Sequence, residues 1–174
     1  DTIAGMASAI RAGTLTPTKI AESALARIAA LDPGLHAFIR VMGDQALGQA
    51  RAAEVQLRSG VDLGPLHGIP YAAKDLFDVR GIATGAGCRL LADDIAEDDA
   101  AVVRNLGRAG SVLLGKTHTV QFAYGAAGLN HDLGTPHNPW HRDPHAPGGS
   151  SSGSAVAVAA GLSPMALGTD TGGS

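Results

Sequence analysis

The chain has 174 residues, of which 45% are hydrophobic, 17% charged and 3% aromatic, which is enough for one domain-sized core but not for two independent ones. Sixteen acidic and thirteen basic residues give a net charge of −3, and without a basic surplus we expect no direct binding to nucleic acid. The single cysteine, Cys88, and a longest apolar run of only residues 155 to 162 argue against a disulfide scaffold, a zinc ribbon and a membrane span of ~20 residues, so the cytoplasm is the expected location.

The first third of the chain carries helix signals. A short helix is predicted from about Ile3 to Ala12. A second helix begins at Thr16-Pro17, an N-cap followed by proline at the first helical position, and its apolar residues recur near a 3.6-residue period until Asp32-Pro33-Gly34. A third helix is predicted from about Asp44 to Arg58, and the apolar run from His36 to Val41 fits either a strand or a linking stretch.

From Gly64 onward, proline and glycine turns separate compact apolar runs, a pattern typical of buried strands with intervening helices. Pro70 to Asp75 is the first predicted strand. A capped helix from about Asp98 to Gly107 leads into a second strand at Ser111 to Gly115, and this order of helix and strand indicates an α/β fold. A long loop rich in Gly, Asn, His and Pro follows from Gly125 to Pro147.

Two Gly/Ser turns dominate the end of the sequence. The first covers residues 147 to 154 and precedes an Ala/Val-rich helix at residues 155 to 160. The second covers residues 168 to 174 and follows a short predicted strand from Met165 to Leu167.

Lys74 is the first candidate for chemistry. It is the only charge in the apolar run that starts at Ile69, until Asp75 follows it. This position places its ammonium group near or inside the core. Burial lowers the pKa of a lysine, and a lysine that acts as a base near neutral pH needs a fall of roughly 3 units from about 10.4. The alternative is a lysine that pairs with Asp75 and extends towards the surface.

The two Gly/Ser turns are the second candidate. A serine beside glycines at a strand or helix edge can expose its hydroxyl group, and successive backbone N–H groups form a pocket for an oxyanion. Gly-Gly-Ser alone is also typical of a flexible turn. Two such turns around a short helix, with a buried lysine upstream, permit a Ser/Lys hydrolase.

A longer motif connects these features. Residues 148 to 174, GGSSSGSAVAVAAGLSPMALGTDTGGS, resemble the signature of the amidase signature family of serine hydrolases. The resemblance extends upstream through Gly68-Ile69-Pro70, Lys74-Asp75, the turn at Gly81 and Thr84 to Gly87, and the segment from Ala109 to Thr117. It covers nearly all of residues 16 to 174 and implies an α/β fold with a large mixed β-sheet sandwiched by helices. That fold would be incomplete in this chain, because similar proteins are more than twice as long.

The resemblance implies that the chain is the N-terminal part of a single domain. A helical segment would cover about residues 1–60, and an α/β core with the catalytic motifs would cover about residues 61–174. The sequence opens with Asp1 rather than methionine and stops at Ser174 directly after two glycines. Both ends look cut, so we expect the polypeptide to continue. If Ser174 ended the molecule, its α-carboxylate would repel the charge that develops at the site, and the chain would be an inactive structural or interaction module.

The resemblance also implies a Ser-Ser-Lys triad. Ser174 would be the nucleophile, and Lys74 would be the general base. Ser150, which would follow a cis peptide bond from Gly149, would pass the proton between them. The implied reaction is hydrolysis of the C–N bond of a carboxamide through an acyl-enzyme on Ser174, without a cofactor or a metal.

Other residues of the two turns have supporting roles by the same resemblance. The oxyanion hole would consist of four successive backbone N–H groups, those of Thr171, Gly172, Gly173 and Ser174. Asp170 would hold the second turn. The remaining serines of the first turn would stabilise that loop and cap the following helix; these are Ser151, Ser152 and Ser154. Lys116, directly after a strand, is expected to be a surface or loop-pinning cation.

Two positions depart from the family's pattern. His118 and Gln121 stand where many members carry asparagine and glutamate after Gly-Lys-Thr. This departure argues against the best-known subgroup, the tRNA-dependent amidotransferases, whose catalytic chains use the same triad to release ammonia from glutamine and depend on partner subunits. That subgroup remains the alternative. The expected partner is a small-molecule amide, and a homodimer is a family-level expectation.

Metal and phosphate binding are not favoured by the sequence. His137, His141 and His145 are each four residues apart, but four prolines in the same stretch prevent a helix that would align them as metal ligands. These histidines and Trp140 are expected to shape substrate entry. Gly148 to Gly153 has the spacing of a phosphate-binding loop, but serine follows where lysine is required.

Overall fold

The computed structural model describes residues 2–174 and contains a four-stranded sheet. Its strands are β1 (Phe38–Val41), β2 (Pro70–Lys74), β3 (Val112–Thr117) and β4 (Ala166–Leu167), in the spatial order β1-β3-β2-β4. β3 runs antiparallel to β1 and parallel to β2, and β2 runs parallel to β4. The sheet is therefore mixed, as predicted, and its two central strands are buried along their whole length.

Helices precede and connect the strands. They are α1 (Ile3–Arg11), α2 (Pro17–Leu35), α3 (Gly43–Arg58), α4 (Ala101–Arg108) and α5 (Ser152–Ala159), with 3₁₀ turns at Arg89–Leu91 and Gln121–Ala123. The predictions for α1, α3, β2 and β4 are confirmed to within one residue, and the segment left open before α3 contains β1. Among residues 2–174, no helix has both the length and the apolar character that crossing a bilayer requires.

α2 extends one residue past its predicted end. Pro33 lies inside its last turn rather than terminating it. The helix ends at Leu35, and the C-cap residue His36 follows with a left-handed φ of 54° and an N–H that donates to the Asp32 carbonyl. The Asp32 carboxylate then accepts the N–H groups of Ala37 and Phe38. These bonds satisfy the backbone beyond the helix and direct the chain into β1.

α4 begins later than predicted. Its first residue is Ala101 rather than Asp98. The Asp99 carboxylate, which could have capped an earlier start, instead accepts the backbone N–H of Arg80 at 2.8 Å. The predicted cap is therefore wrong, since no side chain of the described residues caps α4.

Two boundaries close to the Gly/Ser turns also differ from the predictions. β3 runs two residues beyond Gly115, because Lys116 and Thr117 continue the pairing with β2. α5 begins at Ser152 instead of residue 155. Part of the predicted first Gly/Ser turn is therefore helical.

The sheet is covered on both faces. One face packs against α2, α3 and α5 through a cluster that includes Ala21, Ile28, Ala50, Ala72, Leu114 and Val156. The opposite face packs against α4 through a second cluster that includes Met42, Tyr71, Ala73, Val103 and Leu113. Helices on both faces confirm the predicted sandwich. Because side chains alternate along a strand, Lys74 shares the face of Ala72 and points towards α5.

Candidate active site

The structure brings the three predicted triad residues together. Lys74 ends β2 and is completely buried. Its Nζ lies 2.5 Å from Ser150 Oγ, across 76 positions of sequence. Ser150 Oγ in turn lies 3.3 Å from Ser174 Oγ, 24 positions further on. A lysine and two hydroxyl groups therefore form a continuous hydrogen-bonded path.

Within the described part of the chain, the hydrogen-bond partners of the Lys74 ammonium group are all hydroxyl groups. Besides Ser150, it donates to Ser151 Oγ at 3.0 Å and to Thr169 Oγ1 at 2.7 Å. Burial penalises the charged form and lowers the pKa of Lys74 to about 8. At pH 7, about one molecule in ten then carries the neutral amine. The alternative in which Lys74 pairs with Asp75 is wrong, because Asp75 binds another lysine.

The backbone around Ser150 is tightly packed. The Gly149–Ser150 peptide bond is cis. A Cβ at Gly149 would lie 2.8 Å from the Gly128 Cα, so only glycine fits at this position. The Ser150 carbonyl accepts the Val120 N–H at 3.0 Å and the Thr119 hydroxyl at 3.1 Å. These contacts fix the Ser150 hydroxyl over the end of β2.

Ser174 is held from two sides. Its hydroxyl group contacts Ser150 and also donates to the Ala123 carbonyl at 3.3 Å. In the preceding turn, the Asp170 carboxylate accepts the Gly173 N–H at 2.7 Å. Asp170 therefore shapes this turn. The Gly173 N–H donates to Asp170 instead of pointing to a substrate oxygen, which leaves Thr171, Gly172 and Ser174 as the predicted oxyanion donors.

The other serines of the first turn connect elements instead of capping α5. Ser151 Oγ accepts the Thr169 N–H at 3.1 Å and so ties the two Gly/Ser turns together. Ser154 Oγ bonds to the Leu167 carbonyl at 2.8 Å. The predicted capping role is wrong, since Ser151, at the N-cap position, makes no capping bond and the buried Ser152 hydroxyl has no partner in the part of the chain that the structure describes. The sequence reasoning missed Thr169, although it lies in the second turn.

Lys116 is buried and is not a surface cation. Its Nζ lies 2.8 Å from Asp75 Oδ1, and both side chains are almost fully enclosed. It also donates to the Ala83 carbonyl and to Thr84 Oγ1, at 3.3 and 3.2 Å. Of the two roles predicted for Lys116, a surface position is wrong and loop pinning is confirmed.

The two residues that depart from the family's pattern, His118 and Gln121, are not among the hydrogen-bond partners of the triad side chains within residues 2–174. His118 is 4% exposed, and its Nδ1 has no hydrogen-bond partner among residues 2–174. Burial lowers its pKa to about 4, so the ring is neutral at pH 7. Gln121 donates from Nε2 to the Cys88 Sγ at 3.3 Å.

The buried His118 predicts an acid-sensitive fold. Between pH 6.5 and 4 the unfolded chain binds a proton at this ring that the folded chain does not bind, so stability falls as the pH falls. From pH 7 to pH 5 we expect His118 alone to lower the free energy of unfolding by about 2 kcal/mol. Urea titrations at both pH values measure this loss. His118→Asn should remove it, whereas His145→Asn, at an exposed ring, should not; an equal loss in all three proteins would contradict the assignment.

The histidine-rich loop lies away from the triad. His137 Nδ1 contacts the Gly34 carbonyl at 3.1 Å, and the rings of His141 and His145 lie 3.8 Å apart. With Trp140, these side chains belong to a loop beside α2 and the end of α5. His137, Trp140 and His141 line a surface groove there that contains none of the triad residues. The expectation that these side chains shape substrate entry stays a prediction. Within residues 2–174, no three His, Cys, Asp or Glu side chains are placed to share a metal ion.

A family model described as Amidase matches residues 19–174. The chain belongs to the amidase family. It spans about a third of the length of the curated relatives it matches, and it corresponds to the N-terminal portion of these amidase-family proteins. The resemblance read from the signature motif is thereby confirmed.

Curated relatives and solved structures extend this result. The chain is 47% identical over 173 residues to the glutamyl-tRNA(Gln) amidotransferase A-subunit from Azotobacter vinelandii, covering 99% of this chain and 35% of that protein. Its counterpart from Acidothermus cellulolyticus is 46% identical over 169 residues, covering 97% and 33%. The native peptide amidase from Stenotrophomonas maltophilia is 41% identical with a TM-score of 0.86, covering 93% of this chain and 34% of that one. All three relatives match nearly the whole chain, while their names differ in activity.

Proposed function

We propose that this chain carries the catalytic triad of an amidase that hydrolyses the C–N bond of a carboxamide through an acyl-enzyme on Ser174. The unbroken hydrogen-bonded path from Lys74 through Ser150 to Ser174 is the observation that supports it most strongly. A buried amine with a pKa of about 8 is close enough to neutral pH to act as a base. Membership of the amidase family supports the same chemistry.

In this proposal two protons shift along the path together, one from each serine. Neutral Lys74 accepts the proton of the Ser150 hydroxyl group while Ser150 accepts that of Ser174. The Ser174 oxygen bonds to the carbonyl carbon, and the carbonyl electron pair moves onto its oxygen. The path then returns the proton to the amide nitrogen, so the C–N bond breaks and an amine or ammonia leaves. Water attacks the resulting ester by the same route and releases a carboxylic acid and free Ser174.

The oxyanion of this reaction needs donors already in place. The backbone N–H groups of Thr171, Gly172 and Ser174 are proposed for this role, while Asp170 fixes the turn by binding the Gly173 N–H. A donor held in place before the reaction stabilises the developing charge without a further cost of reorganisation. A removed oxyanion donor typically slows such reactions by about 10²–10³-fold.

The transamidase reaction is the second candidate. It is favoured by the names of the curated relatives, two glutamyl-tRNA(Gln) amidotransferase A-subunits that are 46% and 47% identical to this chain. The chain reaches this identity to the two subunits although His118 and Gln121 depart from the family's pattern. In that case the same triad would release ammonia from glutamine and depend on partner subunits. For the amidase itself we propose a small-molecule amide substrate and a cytoplasmic location; the homodimer stays a prediction.

Release of ammonia from a panel of simple carboxamides that includes glutamine tests the proposal. We expect the protein that carries this chain to release ammonia from at least one carboxamide other than glutamine, and Ser174→Ala to release none. Glutamine as the sole substrate, cleaved only with partner subunits present, would support the transamidase. No release from any carboxamide by the folded protein, with partner subunits as well as without them, would contradict both enzymes and support the inactive module.

A further inference from the structure

The ion pair between Lys116 and Asp75 is not used by the proposed reaction. Its atoms lie 2.8 Å apart, with side chains 0% and 5% exposed. Burial raises the pKa of Asp75, and the adjacent Lys116 ammonium group acts in the opposite direction. A buried pair of this kind is weak evidence for stability, because desolvation of both charges offsets much of their attraction. The contacts around the pair indicate what else it does.

Both members of the pair hold the same loop. Asp75 Oδ2 accepts the Gly85 N–H at 3.1 Å, and the Asp75 carbonyl accepts the Ala86 N–H at 3.0 Å. Lys116 donates to the Ala83 carbonyl and to Thr84 Oγ1. Residues 83–86, which we call the brace loop, are therefore fixed at four consecutive positions.

The brace loop in turn holds the turn beside the nucleophile. The Ala86 carbonyl accepts the Phe122 N–H at 2.8 Å. Phe122 and Ala123 have φ values of 52° and 55°, a left-handed backbone that non-glycine residues adopt only where their surroundings impose it. The next group is the Ala123 carbonyl, which accepts the Ser174 hydroxyl at 3.3 Å.

We propose that the Lys116–Asp75 pair is a positioning pair, which fixes the Ser174 hydroxyl through the brace loop and the Phe122–Ala123 turn. The same aspartate follows the base Lys74 directly in the chain, so one residue joins the base and the support of the nucleophile. This inference rests on the proposed function for the role of Ser174. Its structural part, control of the Phe122–Ala123 turn, is testable separately.

The experiment compares the wild type with Lys116→Met, the double variant Asp75→Asn/Lys116→Met and the control Lys19→Met, at an exposed helix position. The first measurement is the rate constant for reaction of Ser174 with a fluorophosphonate, in which the Ser174 oxygen displaces fluoride from phosphorus. It is made well below the melting temperature of each protein. The second measurement is amide hydrogen exchange at Gly85 and Phe122.

We expect Lys116→Met to slow the reaction of Ser174 at least about tenfold and to speed exchange at Phe122, while Lys19→Met changes neither. The double variant leaves no unpaired charge and should regain thermal stability. Its Ser174 should remain slow, because the contacts from residue 116 to Ala83 and Thr84 are still lost. Reactivity that recovers together with stability would reduce the pair to a stabilising contact and overturn the inference.

Failure of the proposed function has a different signature. If the folded wild type does not react at Ser174, the proposed function fails, and the exchange at Phe122 then decides the inference alone. Faster exchange in Lys116→Met would support control of the turn by the pair. Unchanged exchange at Gly85 and Phe122 would overturn it.

Discussion

Lys74→Ala is expected to lower the rate of amide hydrolysis by about 10³-fold or more and to leave the fold intact. Among residues 2–174, Lys74 is the only ionisable group bonded to Ser150 Oγ, at 2.5 Å, and proton transfer by a positioned base is typically worth 10²–10⁴-fold. The fold should tolerate the alanine, because the partners of the buried amine are three hydroxyl groups and its removal leaves no opposite charge unpaired. Steady-state hydrolysis and thermal unfolding, measured on the same samples, separate the two effects.

The pH dependence of the hydrolysis rate and a second lysine variant provide the controls for this prediction. Because the pKa of Lys74 is lowered to about 8, the wild-type rate should rise with pH below 8 and level off above it, as the amine loses its proton. Lys19→Ala, at the surface of α2, should keep both the rate and this profile. A Lys74→Ala protein with near-wild-type turnover would show that another group is the base.

Ser150→Ala is expected to slow hydrolysis by a similar factor, about 10²–10⁴-fold. Its hydroxyl is the atom that joins the other two members of the path, at 2.5 Å from Lys74 Nζ and 3.3 Å from Ser174 Oγ. Without it, Ser174 has no hydrogen-bonded route to the amine. The rate constant is best measured under single turnover, since slow release of product would hide part of the loss.

Ser152→Ala is the matched control for Ser150→Ala. The Ser152 hydroxyl lies two residues away, is also buried and has no hydrogen-bond partner within residues 2–174. Its removal should leave the rate unchanged, and stability should not fall, because an unpaired buried hydroxyl is lost. Equal rates for Ser150→Ala and Ser152→Ala would show that the bridge is not part of the reaction.

Most of the fold could be predicted because its signals are local. The 3.6-residue period of α2 and the apolar runs of β2 and β3 depend on neighbouring residues alone. The errors arise where a side chain that could have bonded locally bonds instead to a residue that is distant in sequence. Asp99 binds Arg80 and leaves α4 uncapped, and nothing near Asp99 in sequence indicates that contact.

The candidate site, too, was predictable only where local sequence determines it. Burial of Lys74 follows from the apolar run around it, but its partners stand 76 and 95 positions away, and only the resemblance to the family joined it to Ser150 and Ser174. The partner of Asp75 depends on strand register. β2 and β3 pair Thr117 with Lys74 and Lys116 with Ala73, so the two lysines point to opposite faces.

Treatment of the folded protein with a fluorophosphonate, followed by peptide mapping, tests the central claim most directly. The reagent forms a stable bond only with an activated serine. We predict a single adduct on Ser174 in the wild type and its loss in Lys74→Ala. An adduct on Ser150 or another serine, or a folded wild-type protein whose Ser174 stays unlabelled, would contradict the assignment of Ser174 as the nucleophile of a Lys74–Ser150 path.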